Sequence, residues 1–458
     1  MNNPIRLKLF LMMVLEFFIW GAWLPLIFGY LPSLGFSPAQ QSWILNAFPF
    51  AAIIGMFFSN QYADRHFAAE KFLAFSHLVG GLAMLGLAAI QAPAPVPGLA
   101  TGAPNPNAPF GLFFGLMLVH CLVYVPTISI TNSIAFANMK DAQKEFGIVR
   151  MGGTIGWILA AWPFTFILVD WAKVHEANPQ GLKDWLGTVL ASGLTGDALL
   201  RDTRWTFIVA GIASLALAVF SLALPHTPPK KVTEGEDRFA WLESAKLLRH
   251  PFVLVLWVVT FVDAFVHNCY FNWTGSFLGS DVKAGGVGIA GNWIMPAMSV
   301  GQIAEILTMF VLGATLKRLG WRATMVFGIL GHAARFAVYA FLPSATTVVI
   351  VQVLHGICYA FFFATVYIFV DEYFPKDVRA SAQGLFNVMI LGIGSLAANS
   401  LCPWLKQTKF THDGVTDFHS LFLVPLGAAV LAAIALAVFF RPPPKQQPEP
   451  AAQAALAA

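Results

Sequence analysis

Charged side chains are scarce in this chain. Of its 458 residues, 11% are Asp, Glu, Lys or Arg and 57% are hydrophobic, whereas soluble proteins average about 25% charged and about 45–50% apolar residues. So much apolar surface cannot be enclosed in the core of a soluble protein of this length. The formal net charge is only +4, and the basic residues are spread over short connecting segments, which argues against nucleic acid as a partner.

The chain also lacks the motifs of several function classes. Its four cysteines show no CxxC spacing, so neither a disulfide framework nor a zinc site is indicated. Neither GxxxxGKS nor GxxxxGKT occurs, which disfavours direct coupling to ATP. No paired acid and base and no metal-ligand cluster supports an enzyme, and we expect no cofactor.

Long hydrophobic runs, in contrast, are abundant. A bilayer core about 30 Å thick requires roughly 20 apolar residues in a helix, and twelve segments meet this length. They lie near residues 9–31, 42–60, 72–91, 110–136, 150–171, 205–224, 252–279, 291–313, 324–342, 346–372, 381–404 and 420–440. The sequence therefore predicts an all-α membrane protein with twelve transmembrane helices.

The most polar interior stretch, which begins PHTPPKKVTEGEDR, divides the spans into two sets of six. It predicts a cytoplasmic central loop at 225–250 between an N-terminal half at 1–224 and a C-terminal half at 251–441. Residues 442–458 are rich in Pro, Ala and Gln and are predicted to form a disordered cytoplasmic tail. Two halves of six helices are the architecture of the major facilitator fold, in which the substrate binds between the halves near the membrane midplane.

The distribution of basic residues predicts the orientation. With the N-terminus on the cytoplasmic side, 18 of the 27 Lys and Arg residues lie on that side and 7 on the other, while Arg150 and Arg335 lie within spans. Cytoplasmic loops are enriched in Lys and Arg. We therefore expect a multi-pass protein of the cell inner membrane with both termini in the cytoplasm. We also expect it to be a monomer.

Charged residues inside the apolar spans are candidates for function. A charged side chain at the centre of a helix in lipid costs at least ~2.5–3.5 kcal/mol, so it must face a cavity or a partner. These residues are Glu16, Arg150, Asp263, Glu305 and Arg335. Glu305 has Gln302 one turn before it on the same helical face, which indicates a pair lining a cavity. Histidines within spans, such as His77, His120 and His332, are more typical of hydrogen bonds between helices.

Two further polar segments are candidates for ligand contacts. Asp263, His267, Asn268 and Asn272 lie at spacings that share one helical face, so they could present donors and acceptors to one ligand. Hydrogen bonding between helices is the alternative. Arg150 begins the segment RMGGTIGW, whose glycines allow another helix to approach closely; it either binds a ligand or anchors its helix at the membrane surface.

Aromatic side chains near these polar groups could stack on a planar ligand. The candidates are Trp20, Trp23, Trp157, Tyr359 and Phe361. Aromatic residues make up 14% of the chain, so most of them are expected to pack against lipid or other helices.

Seven short segments occur in order at matching places in the predicted spans. They are FFIWGAWL (17–24), PTISITNSI (126–134), VRMGGTIGW (149–157), LPHTP (224–228), GQIAEIL (301–307), ARFAVYA (334–340) and VRASAQGLF (378–386). Through them the chain resembles the nucleoside:proton symporter family of the major facilitator superfamily, over essentially its whole length.

The resemblance implies that the chain imports nucleosides, coupled to protons, by alternating access. Its partners would be the nucleoside, protons and the lipid bilayer. The residues implied to contact the substrate, with Tyr359 added as an aromatic contact, are Arg150, Thr154, Trp157, Asn268, Asn272, Gln302, Glu305 and Tyr359.

The tenth span departs from the family pattern. Characteristic members carry an acidic residue after an aromatic there, whereas this chain reads Cys358–Tyr359–Ala360–Phe361. The proton would then be carried by Glu305, Asp263 or Glu16. The alternatives are a uniporter and a major facilitator carrier for another small polar solute, such as a sugar or a purine derivative. A membrane sensor or scaffold would not explain the charged residues inside the spans.

Overall fold

The structure is a computed structural model that describes residues 4–55, 67–99, 103–229, 246–374 and 376–442. Most of the predicted central loop, at 230–245, and the predicted tail from residue 443 onward lie outside the described residues. Within the described ranges the fold is helical apart from one short hairpin.

Long helical segments follow the apolar runs of the sequence. In chain order they are α1 (Pro4–Ser33), α2 (Pro38–Ile54), α3 (Ala69–Ala88), α4 (Phe110–Asn138), α5 (Ala142–Ala161), α6 (Trp205–Ser221), α7 (Pro251–Gly279), α8 (Gly291–Phe341), α9 (Ala345–Tyr373), α10 (Lys376–Asn387 continuing through Gly394–Trp404) and α11 (Phe418–Phe439). Helix α2 begins at a capping box between Ser37 and Gln40. Such a box satisfies two backbone donors that the start of a helix leaves free.

Shorter elements connect the long helices. Between α5 and α6 lie short helices at Phe164–Ile167, Trp171–Ala177, Leu182–Ala191 and Gly196–Asp202. Turns of 3-10 helix occupy Lys246–Arg249 and Val282–Ala284, and π-helical turns occupy Tyr359–Ala364, Val388–Ile393 and Leu405–Lys409. Strands β1 (Thr411–His412) and β2 (Val415–Thr416) pair antiparallel, with Thr411 opposite Thr416.

Helix α5 differs from the span predicted at 150–171. It begins eight residues earlier, at Ala142, and ends at Ala161. Pro163 lies two residues further on, and proline cannot donate the backbone hydrogen bond that would continue the helix. The earlier start places Arg150 inside the helix.

Helix α8 contains two of the predicted spans. Its backbone leaves helical geometry at Gly320, where φ is 74° and ψ is 174°. Glycine adopts a positive φ without the steric cost that a Cβ atom brings. The break divides α8 into a first part that begins at Gly291 and a second part that ends at Phe341, and it lies between the spans predicted at 291–313 and 324–342.

The number of membrane spans is supported only in part. Nine helices of the described chain are long and apolar enough to cross a membrane. One of them is the 51-residue α8, which holds two predicted spans, and the shorter α2 and α5 cover two further ones. The helical membrane fold is confirmed, while the count of twelve stays a prediction.

The two halves meet along three helix pairs: α1 with α7, α2 with α10, and α5 with the first part of α8. Hydrogen bonds join α2 to α10 at the end of the bundle opposite the termini. There Asn46 Nδ2 donates to Ser400 Oγ (2.9 Å), and Gln407 Nε2 donates to Gln41 Oε1 (2.8 Å). At the same end, Trp293 Nε1 of α8 donates to the backbone oxygen of Leu190 (2.8 Å).

Glycines on α5 bring it against α1. A Cβ atom added at Gly152 would lie 2.7 Å from the backbone oxygen of Phe10, and one added at Gly156 would overlap the backbone oxygen of Val14. Small residues allow two helix backbones to approach this closely. The contact fixes the face of α5 that carries Arg150, Thr154 and Trp157.

We expect Gly156→Ala to destabilise the protein, because its methyl group would collide with the backbone of α1 and backbone atoms cannot rotate away. Overpacking of this kind costs typically about 1–3 kcal/mol. Gly147→Ala is the matched control on the same helix, because a Cβ at Gly147 would meet no atom within 4 Å apart from the adjoining backbone of its own helix. Thermal unfolding of the purified proteins in detergent measures the effect, and equal unfolding temperatures for the two variants would contradict the close helix contact.

Candidate functional site

A cavity of about 540 Å³ lies between the two halves. Helices α1, α2, α4 and α5 line it from the first half, and α7, α8, α9 and α10 line it from the second half. Seven of the eight predicted substrate contacts are in its wall, namely Arg150, Thr154, Trp157, Asn268, Gln302, Glu305 and Tyr359. The structure therefore brings together side chains that are up to 209 positions apart in the sequence, from Arg150 to Tyr359.

Opposite charges face this cavity from the two halves. Arg150 comes from α5 and Glu305 from α8, and the two groups interact electrostatically. The Arg150 guanidinium also lies over the Phe17 ring, 4.3 Å from its centre. The electron-rich face of an aromatic ring attracts such a positive charge. Tyr359 of α9 lines the same cavity. Arg150 thus lies within the cavity, as expected for a ligand contact.

Close contacts between α8 and α9 hold Glu305 in place. A Cβ atom at Gly356 would overlap the backbone nitrogen of Glu305, and one at Gly301 would lie 2.8 Å from the Cβ of His355. The backbones of α8 and α9 therefore touch beside the carboxyl group. This close packing sets the depth at which Gln302 and Glu305 enter the cavity.

Aromatic rings form a second part of the wall. The ring of Trp20 stacks on Phe48, with centroids 4.7 Å apart and planes 16° apart. Trp157 meets Trp20 edge to face at 5.2 Å and Phe271 at 6.2 Å. Flat aromatic faces of this kind can accept a planar ring in a stacked or edge-to-face arrangement.

Asn268 and Asn272 have different positions. Asn268 lines the cavity, and its Nδ2 donates to the Ala264 backbone oxygen (2.8 Å) and to Ser395 Oγ (3.0 Å). Asn272 lies outside the cavity wall and donates to Asn399 Oδ1 (3.0 Å). Asn399 in turn donates to the backbone oxygen of Leu45 in α2 (3.1 Å). The sequence placed Asn272 among the substrate contacts. In the structure it does not line the cavity, and through Asn399 it supports the contact between the halves.

Several polar atoms of the cavity wall have no hydrogen-bond partner within the described part of the chain. They are Trp20 Nε1, Trp23 Nε1, Asn132 Oδ1, His267 Nδ1 and Gln302 Oε1. Burying a polar atom without a partner is unfavourable. The residues that carry these atoms all line one cavity, although the atoms themselves are buried from it in this conformation.

The three candidate proton carriers lie in different environments. Glu305 lines the cavity. Glu16 is fully buried outside the cavity wall, where it accepts from His77 Nε2 (2.9 Å) and from Thr127 Oγ1 (2.8 Å). Asp263 is also fully buried, and neither of its oxygens has a hydrogen-bond partner among the residues described. Both carboxyl oxygens of Glu16 thus accept a hydrogen bond, which is typical of a structural role.

Some cavity residues escaped the sequence analysis. Helix α10 contributes Asn387, Ser395 and Asn399, and α9 contributes Phe363 in place of the expected Phe361. The π-helical turn Tyr359–Ala364 shifts the face of α9, which sequence spacing does not reveal. Polar residues within the apolar span at 381–404 were the available signal for the α10 contacts.

The described residues contain no group of three or more His, Cys, Asp or Glu side chains placed to hold a metal ion.

Comparisons with known proteins cover almost the whole chain. The family described as Nucleoside H+ symporter matches residues 3–182 and 185–445. YegT of Escherichia coli (strain K12) is 31% identical over 446 residues, which cover 95% of this chain and 93% of YegT. The xanthosine permease of the same organism is 26% identical over 465 residues, which cover 96% of each protein.

The crystal structure of the nucleoside transporter NupG has a similar fold. It superposes with a TM-score of 0.75 over 96% of this chain and 100% of the NupG chain, at 21% sequence identity. The two proteins share the same helical architecture.

We expect His77→Leu to destabilise the protein strongly, because it leaves the Glu16 carboxylate buried without its imidazole partner. Removing one member of a buried pair costs about 3–5 kcal/mol, whereas replacing both members with apolar residues is often close to neutral. The double variant Glu16→Leu/His77→Leu should therefore regain much of the lost stability. Thermal unfolding in detergent compares them, and a double variant as unstable as His77→Leu would show that the pair is not the source of the effect.

Proposed function

Since the chain belongs to the nucleoside H⁺ symporter family, as its motifs predicted, we propose that it imports nucleosides together with protons by alternating access. The two halves would rock about the cavity between them, so that the substrate site opens to one side of the membrane at a time. The proton gradient would supply the energy for accumulation.

The cavity carries this proposal. Its volume of about 540 Å³ is within the roughly 300–1,000 Å³ typical of small-molecule sites. A nucleoside has a flat base and a polar ribose. The rings of Trp20, Phe48 and Trp157 offer flat faces to the base, and the amides of Asn268 and Gln302 offer donors and acceptors to base edges or hydroxyls.

Glu305 is the proposed link between the proton and the substrate. Its carboxylate attracts Arg150 across the boundary between the halves, and this attraction is lost when Glu305 binds a proton. Protonation thus changes how strongly the two halves are held together. A group that binds a proton in one facing state and releases it in the other can couple the gradient to transport.

We further propose that both termini lie in the cytoplasm and that the protein resides in the cell inner membrane. The 18 to 7 distribution of Lys and Arg supports this orientation. In that orientation the hydrogen bonds between α2 and α10 lie at the outer end of the bundle. The cavity reaches Gly55 and Asn387 towards the cytoplasmic end, which supports an inward-facing conformation.

We expect Gln302→Ala and Asn268→Ala each to weaken nucleoside binding by about 5- to 150-fold, since a lost hydrogen-bond partner costs roughly 1–3 kcal/mol. Gln180→Ala, on an exposed loop, is the control and should bind like the parent. Binding of a labelled nucleoside panel to purified protein gives the affinities. Parent-like affinity in both cavity variants would exclude them from the substrate site.

We expect Glu305→Gln to abolish accumulation driven by a pH gradient and to retain substrate exchange, because glutamine keeps the shape and hydrogen bonds of a neutral acid. Glu176→Gln, on an exposed short helix, should accumulate normally. Uptake into proteoliposomes at matched and unmatched pH tests this. Accumulation by Glu305→Gln would place the coupling proton elsewhere, and a parent without pH dependence would be a uniporter.

A further inference from the structure

A cluster of charged and imidazole groups lies behind the cavity wall of the second half. Arg335, on the second part of α8, is fully buried. Its Nη1 donates to His355 Nδ1 and its Nη2 donates to His332 Nδ1, each at 2.8 Å. The guanidinium also lies 4.1 Å from the centre of the Tyr270 ring. Helices α7, α8 and α9 thus meet at one buried cation.

Arg335 determines which nitrogens of the two histidines carry hydrogen. A guanidinium only donates hydrogen bonds, so Nδ1 of His332 and Nδ1 of His355 are both acceptors. Each neutral ring therefore carries its hydrogen on Nε2. The Nε2 atom of His332 faces Asp263 Oδ2 at 3.7 Å, which directs an N–H group towards that carboxyl.

Asp263 is enclosed differently from the paired Glu16. Both of its oxygens are buried and neither has a hydrogen-bond partner in the described ranges. Complete burial away from water favours the neutral acid, while Arg335 supplies a balancing positive charge when the acid is ionised. Asp263 is thus placed where both protonation states can exist.

The cluster touches the substrate cavity through two imidazole rings. His267 lies one helical turn after Asp263 on α7 and lines the cavity. Its ring stacks on His355, with centroids 5.1 Å and planes 29° apart, and His355 also lines the cavity. A change of charge at Asp263 can therefore reach the cavity wall through His332, Arg335 and His355.

We propose that Asp263 is a second proton-binding site, additional to Glu305, and that the bonded Arg335, His332 and His355 transmit its charge state to the cavity. The inference rests on the proposed function, because proton-driven transport gives the site its role. A hydronium ion in the cavity supplies the proton and becomes water, the proton forms an O–H bond on one carboxyl oxygen of Asp263, and it later leaves from there to a water molecule in the cavity. Arg335 stays charged, and His332 and His355 stay neutral.

The titratable and charged groups that surround Asp263 in the described chain are His267, Tyr270, His332, Arg335, His355 and Cys358. Because His267 and His355 also line the cavity, a test has to distinguish the pH dependence caused by Asp263 from any caused by these histidines. Single substitutions at Asp263 in a protein that already lacks the Glu305 acid provide this separation.

The experiment measures exchange of labelled nucleoside in proteoliposomes with equal pH on both sides, from about pH 5 to 8. In Glu305→Gln, the exchange rate should still depend on pH, by up to about tenfold per unit for a single site. Adding Asp263→Asn should flatten this dependence to within about twofold. Adding His120→Gln is the matched control, since His120 is a fully buried histidine outside the cavity wall and the cluster, and it should preserve the dependence.

Exchange by Glu305→Gln that does not vary with pH, or a pH dependence that survives Asp263→Asn, would overturn the second site. If Asp263→Asn does not fold, Asp263→Glu keeps an acid and should shift the midpoint of the pH dependence. Infrared difference spectra of the purified protein add a readout independent of transport: a carboxylic-acid C=O band should persist in Glu305→Gln and disappear when Asp263→Asn is added to that variant. A parent that exchanges no nucleoside would instead contradict the proposed function, while the infrared band would still report on Asp263.

Discussion

Hydrocarbon cannot solvate a polar side chain, so every polar group inside this helix bundle needs either a partner or the cavity. The three acids within the spans meet this constraint in different ways. Glu16 has a partner in His77, Glu305 faces the cavity, and Asp263 lies between these cases, beside a histidine that is itself held by Arg335. The same rule accounts for the polar residues that line the space between the halves.

The two halves meet this constraint by different means. In the first half, glycines on α5 bring its backbone against α1, and Arg150 is thereby presented to the cavity. In the second half, Arg335 draws α7, α8 and α9 together through imidazole and aromatic rings. Close backbone packing therefore shapes the cavity wall of the first half, and hydrogen bonds to a buried cation lie behind the wall of the second half.

Contacts between the halves are polar where they hold the bundle closed. The amides of Asn46, Asn399 and Gln407 bond across the boundary between α2 and α10. Hydrogen bonds of this kind contribute only about 0.5–1.5 kcal/mol each, so a few of them can close one end without locking it. A transporter that alternates between two states needs an interface of this modest strength.

The sequence by itself determined the class of the protein, because runs of apolar residues long enough to cross a bilayer and motifs in a fixed order are local properties of the chain. The family that those motifs indicated is confirmed. Pairings between distant residues were decided only by the tertiary structure. Helical spacing placed Asn272 with Asn268 on one face, yet packing against α10 turned it to Asn399. Spacing places His332 one turn before Arg335 on α8 but gave no sign that His355 of α9 shares that arginine, because this contact depends on how two separate helices cross.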